Sequence, residues 1–145
     1  MNETIRRFGY PATLLVERGH WIVLLRPAQP ALGSLVLAAK GEARAFSELA
    51  PEAFAELGQV VADIETALGA AVDYARINYL MLMMVDPHVH FHVIPRYEGE
   101  RSAAGVTVRD AGWPKVPELN EAVALQPAQV EDLIDWLRSF WPSAR

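Results

Sequence analysis

Apolar positions fall into runs with two periods. Residues 11–17 ("PATLLVE") and 20–25 ("HWIVLL") are short, β-prone and joined by Arg18-Gly19, a pattern that predicts a hairpin. The prolines of residues 26–33 ("RPAQPALG") predict a loop, and residues 34–39 ("SLVLAA") a third strand. The period then lengthens. From Pro51, Phe54, Leu57, Val61, Ile64 and Leu68 recur at steps of three and four, predicting a long helix over 51–70 opened by a first-turn proline and buried along that stripe. Residues 75–85 ("ARINYLMLMMV") read as extended until Asp86-Pro87 interrupts them. Residues 88–97 ("HVHFHVIPRY") return to alternation. Residues 98–119 read as loop, and Pro127 opens a last helix whose Val130, Leu133, Ile134, Leu137 and Trp141 would dock on the body. Strands, one long helix, then strands again predict one α+β domain over 1–145 with a mostly antiparallel sheet.

Composition narrows the chemistry. The chain of 145 residues is 52% hydrophobic and has no cysteine, which removes disulfides, thiolate metal sites and thiol catalysis. Its formal charge of −5 argues against a polymeric nucleic acid held by bulk phosphate attraction, while a small phosphorylated ligand needs only a locally basic pocket. Residues 1–11 contain no apolar h-region, and the longest apolar run, residues 77–85, is too short to span a membrane. A cytoplasmic protein is the expectation.

Three of the four histidines lie in residues 88–92. On a strand, residues two apart share a face, so His88, His90 and His92 form one row while Val89, Phe91 and Val93 face the core. The row is about 13 Å long at roughly 3.3 Å per residue. One zinc would need ligand nitrogens at about 2.0–2.1 Å, so the outer pair would have to converge from both ends. Two of the histidines plus a distant carboxylate such as Glu98 stay open, as in a metal-dependent cupin-like enzyme. Three ordinary histidines on a sheet face would leave several ring nitrogens in need of partners. A third reading is nucleophilic attack on phosphorus: a neutral imidazole is a competent nucleophile near pH 7, and flanking donors would hold the non-bridging oxygens.

The run His-Val-His-Phe-His-Val-Ile resembles the His-φ-His-φ-His-φ-φ signature of the histidine triad (HIT) superfamily of nucleotide hydrolases and transferases. Residues 33–40 ("GSLVLAAK"), residues 45–64 and "IPRY" at 94–97 fall where the family has its strand-plus-Lys, its helix and the segment after the triad. The resemblance is clearest over residues 8–97. It implies an antiparallel sheet with one long helix, a nucleotide ligand, no obligatory metal or cofactor, and a homodimer. It also implies that His90 is the nucleophile forming a nucleotidyl-histidine, with His88 and His92 orienting it and contacting the phosphate.

Three segments depart from the family pattern. Ser34 stands where many members have a further histidine. Arg26 stands near a ribose-holding acidic residue or asparagine, and Met83-Met84-Val85 replace glycine and hydrogen-bonding residues before the triad. Arg26 is suited to a phosphate or carboxylate. Arg96 is a second candidate for a phosphate at the pocket rim, its competing assignment being an ion pair with Glu98 or Glu100. The substrate-binding candidates are therefore Arg26, Ser34 and Arg96. The alternative functions are a catalytically weak nucleotide-binding module and the cupin-like enzyme.

Overall fold

The computed structural model describes residues 1–142; residues 143–145 of the expected domain lie outside the described residues. The chain folds in the order α1 (Glu3–Arg7), β1 (Leu14–Glu17), β2 (Trp21–Leu25), β3 (Ala28–Gln29), β4 (Leu35–Ala39), α2 (Pro51–Val72), β5 (Arg76–Leu80), β6 (His90–Arg96), β7 (Glu100–Ala103), β8 (Val106–Arg109), β9 (Val123–Ala124) and α3 (Pro127–Arg138). Five strands make one antiparallel sheet in the order β1-β2-β4-β6-β5, so the fold is α+β as expected. The sheet is open, unlike the barrel of a cupin.

Strands β2 and β4 are buried at every position because both faces of the sheet are covered. On one face Trp21, Val23, Leu25, Leu35, Leu37, Val89 and Val93 pack with Val60, Ile64 and Leu68 of α2 and with Leu133 and Leu137 of α3. On the other, Ile22, Leu24, Val36 and Ala38 pack with Ile5 of α1, with Phe8 and Tyr10 against them. The buried stripe of α2 is Ala53, Val60, Ile64, Ala67, Leu68 and Val72. Phe54, expected in the stripe, is 42% exposed and packs on Phe46, because the burial axis is turned toward Val60. Proline at the first turn of α2 costs no backbone bond, and Asp73 closes the helix in the left-handed region at φ 48°.

Two elements escape the periodicity. Helix α1 has five residues, too few to show a helical period; Asn2 caps it, its Oδ1 accepting from the Ile5 amide at 2.9 Å. Residues 98–119, expected as loop, contain the β7–β8 hairpin, in which Val106 and Val108 are buried and Ala104-Gly105 both take positive φ at the turn. Alanine at the first turn position hides the usual Asn-Gly signal.

Candidate active site

Strand β6 sets the site. It lies between β4 and β5, with His90 opposite Ala38 and His92 opposite Val36, so both rings project from the face that carries α1. His88, His90 and His92 are all buried, at 3%, 0% and 7% exposure. The expected single row is present, but each ring has its own fixed environment.

His90 is oriented by its own strand. Its Nδ1 lies 2.7 Å from the His88 carbonyl oxygen. A carbonyl can only accept, so Nδ1 carries the proton and, in the neutral ring, Nε2 holds the lone pair. That Nε2 is buried with no hydrogen-bond partner. A buried, unpaired nitrogen is costly in a structural role. Phe8 packs beside the pair: its ring centroid is 5.6 Å from that of His90 and 5.5 Å from that of His92.

His88 is held from both sides. Its Nε2 lies 3.0 Å from Glu42 Oε2, and its Nδ1 lies 2.9 Å from Thr4 Oγ1, which also accepts from the His88 amide at 3.3 Å. A carboxylate accepts, so Nε2–H is the donor and, in the neutral ring, the Thr4 hydroxyl donates to Nδ1. The His88 carbonyl that orients His90 is thereby pinned to α1.

His92 receives the opposite tautomer. Arg26 Nε donates to its Nδ1 at 3.3 Å, which leaves the ring proton on Nε2. Burial, then the Arg26 charge and the neighbouring His90, push the His92 pKa down to about 4, against a weaker upward pull from Asp86. Arg26 is itself partly desolvated, and burial lowers its pKa.

The loop carrying Arg26 is tied by Gln29, whose Oε1 accepts from the Gly33 and Ser34 amides at 2.9 and 3.1 Å and whose Nε2 donates to the Arg26 and Ser34 carbonyls at 2.6 and 2.9 Å. Gly33 is required: φ is +93°, and an added Cβ would lie 3.1 Å from a Leu68 methyl. Tyr97 closes the same loop, its hydroxyl accepting from the Leu32 amide at 2.7 Å and donating to the Val108 carbonyl at 2.8 Å, and burial pushes its pKa up to about 12.

The other candidates fall differently. Ser34 lies beside Arg26, whose amide donates to the Ser34 carbonyl, but its hydroxyl donates to the Ala31 carbonyl at 2.6 Å and so shapes the loop. Arg96 is 3% exposed and forms a two-pronged pair with Asp110, at 2.8 and 3.1 Å, while Nη1 donates to Asn78 at 2.8 Å. Its three nitrogens brace β6 against β5 and the Asp110 loop, and neither Glu98 nor Glu100 is its partner. Met84 and Val85 are mostly exposed. Among the described residues no three His, Asp or Glu side chains are grouped as metal ligands. The sequence offered no sign of Thr4, Phe8, Gln29 or Glu42, because each acts on the triad strand or the Arg26 loop through the fold rather than through a motif.

An antiparallel sheet presenting three alternate histidines, the middle one with a free ring nitrogen, defines a histidine-triad protein. The HIT domain model matches residues 10–99, and the chain belongs to this family. Among solved structures, a histidine triad protein from Sinorhizobium meliloti is 21% identical with a TM-score of 0.73, covering 97% of this chain and 95% of that one. One from Bradyrhizobium japonicum is 18% identical with a TM-score of 0.71, over 97% and 96%. The Plasmodium falciparum diadenosine triphosphate hydrolase is 11% identical with a TM-score of 0.65, over 90% and 76%. No curated protein matches the chain.

Proposed function

We propose that the chain is a nucleotide phosphate hydrolase or nucleotidyl transferase that works through a covalent nucleotidyl-histidine on His90. The observation that carries this reading is the buried, unpartnered Nε2 of His90, fixed as the lone-pair nitrogen by the bond from Nδ1 to the His88 carbonyl. Nε2 attacks the α-phosphorus, the bond from phosphorus to the leaving group breaks, and the leaving group departs with its electron pair. Water, or an acceptor in a transferase, then attacks the phosphorus and returns the pair to Nε2. The Nε2–H of His92 donates to an oxygen of the reacting phosphate, and His88 acts through its carbonyl as the positioning residue. The diadenosine triphosphate hydrolase among the structural neighbours is consistent with a nucleotide substrate. A cytoplasmic location fits the cysteine-free composition.

The test is trapping the intermediate. Alkaline quenching after mixing with a panel of nucleotides should give an intact mass increased by one nucleotidyl group, mapped to His90, since a phosphoramidate of imidazole survives base. His90→Ala should remove the adduct while nucleotide affinity stays within a few-fold, because the nucleophile acts mainly in the transition state. The exposed Met84 and Val85, which bring no donor to the site, favour a second reading as a nucleotide-binding module. Tight binding without adduct or turnover across the panel would establish that reading instead.

A further inference from the structure

Arg26 is a charged group that the three-histidine mechanism does not require. It follows β2, whose Ile22 and Leu24 lie on the histidine face, so alternation places Arg26 on that face as well. Three contacts hold it: Nη1 donates to the Ala28 carbonyl at 2.6 Å, Nε to His92 Nδ1 at 3.3 Å, and its amide to the Ser34 carbonyl at 3.0 Å. Its Nη2 has no hydrogen-bond partner among the described residues, and no carboxylate there forms an ion pair with it. A half-buried guanidinium with no counter-charge and a free nitrogen is a prepared anion site.

The contact with His92 also limits what chemistry that ring can do. Guanidinium does not give up its proton at ordinary pH, so Nδ1 of His92 stays an acceptor and the ring stays neutral, a hydrogen-bond donor through Nε2. The depressed pKa of His92 agrees with this. An amine leaving phosphorus must gain a proton as the bond breaks, and a neutral imidazole is a poor source. Among the neighbouring groups, the Nε2–H of His88 is directed at Glu42, and Thr4 is bound to His88. A phosphate or nucleotide leaving group departs with its negative charge and needs a cation rather than an acid.

Building on the assignment of His90 as nucleophile, we propose that Arg26, with His92, is the specificity determinant that selects phosphoanhydride substrates, whose leaving group is an anionic phosphate, over phosphoramidates, whose leaving group is an amine. His90 Nε2 bonds to the α-phosphorus, the bond from phosphorus to the bridging oxygen breaks, and that oxygen keeps the electron pair as an anion against Arg26 and the Nε2–H of His92. No proton is transferred to the leaving group.

The test compares two substrates with one nucleotidyl group: diadenosine triphosphate, which releases ADP, and adenosine 5′-phosphoramidate, which releases ammonia. The guanosine pair serves as a second base. The wild type should prefer the anhydride in kcat/KM. Arg26→Gln should lower anhydride kcat/KM by about 10²–10³-fold, the effect of removing one donor to a developing anion. It should lower the anhydride-to-phosphoramidate ratio with it, because a His92 ring released from the guanidinium can take up a proton and pass it to an amine. Arg26→Lys should recover part of the loss. Equal losses on both substrates, or a wild type that prefers the phosphoramidate, would overturn the proposal. Calorimetric binding of ADP and AMP keeps it testable without turnover. ADP should bind the wild type about ten-fold more tightly than AMP, and Arg26→Gln should abolish that difference. Absence of turnover with this difference present would count against the catalytic reading but not the assignment of Arg26; absence of the difference would remove Arg26 from the site.

Discussion

At His92, burial and the adjacent Arg26 guanidinium disfavour the same protonation state, and stability should depend on pH as a result. The ring titrates near pH 6.5 in an unfolded chain and near 4 in the fold. Between these values the unfolded state binds a proton that the native state refuses. Stability therefore falls as pH drops from about 6.5 to about 4 and is insensitive to this group above that window. After discounting for solvent screening, the loss is on the order of 2 kcal/mol. Urea unfolding at several pH values should show it in the wild type and not in His92→Gln, whose amide oxygen still accepts from Arg26 without titrating. Parallel curves for the two proteins would mean that His92 does not carry the shift. The row of histidines itself was legible in the sequence, because alternation alone puts residues 88, 90 and 92 on one face. Their partners were not: Thr4 is 84 positions from His88 and Glu42 is 46, so no local pattern connects them.

Among the elements, α1 and the Arg26 loop determine what reaches the triad. Phe8 lies against the rings of both His90 and His92, and the His90 Nε2 is buried, so a substrate can meet that nitrogen only when the side chains around it move aside. Phe8→Ala should open the way. Diethyl pyrocarbonate acylates accessible neutral imidazole, and the exposed His20 supplies an internal reference. Peptide mapping should show slow modification of His90 relative to His20 in the wild type and a several-fold faster reaction in the variant. An unchanged ratio would show that another group shields the nitrogen. The loop is secured differently, by the four bonds of Gln29. Gln29→Leu leaves two buried amides without that acceptor and should lower unfolding free energy by at least about 2 kcal/mol in urea titrations. At this scale the long helix and the paired strands were readable from their periods. Helix α1, the β7–β8 hairpin and the loop clamp were not, being too short, masked by alanine at the turn, or dependent on a glutamine whose role exists only once Gly33 has turned the chain.

For the whole molecule, the sheet ends in two edges, β1 and β5. Strand β1 is partly covered, because Arg138 of α3 donates to the Leu14 and Leu15 carbonyls at 2.9 and 3.4 Å. Strand β5 is the other edge, paired on one side with β6 and, among the described residues, with no strand on its outer side. Its flank is apolar: Leu82, Met84 and Val85 are exposed in the segment after it, and Phe54 with Phe46 lies exposed at α2. An open edge beside exposed aromatic and aliphatic side chains is a liability in a monomer and a ready surface for a second copy. We propose that two chains pair here, β5 against β5 with the α2 helices adjacent, in keeping with the homodimer implied by the family resemblance. A two-fold contact of this kind uses the same patch on both subunits, so one charged substitution acts twice. Light scattering should give about 32 kDa, twice the chain mass of 16.1 kDa. Phe54→Glu, on the exposed face of α2 and outside the described hydrogen bonds, should shift the protein toward monomer while leaving its far-ultraviolet circular dichroism unchanged. A wild-type mass near 16 kDa at the highest workable concentration would show that the β5 edge stays open.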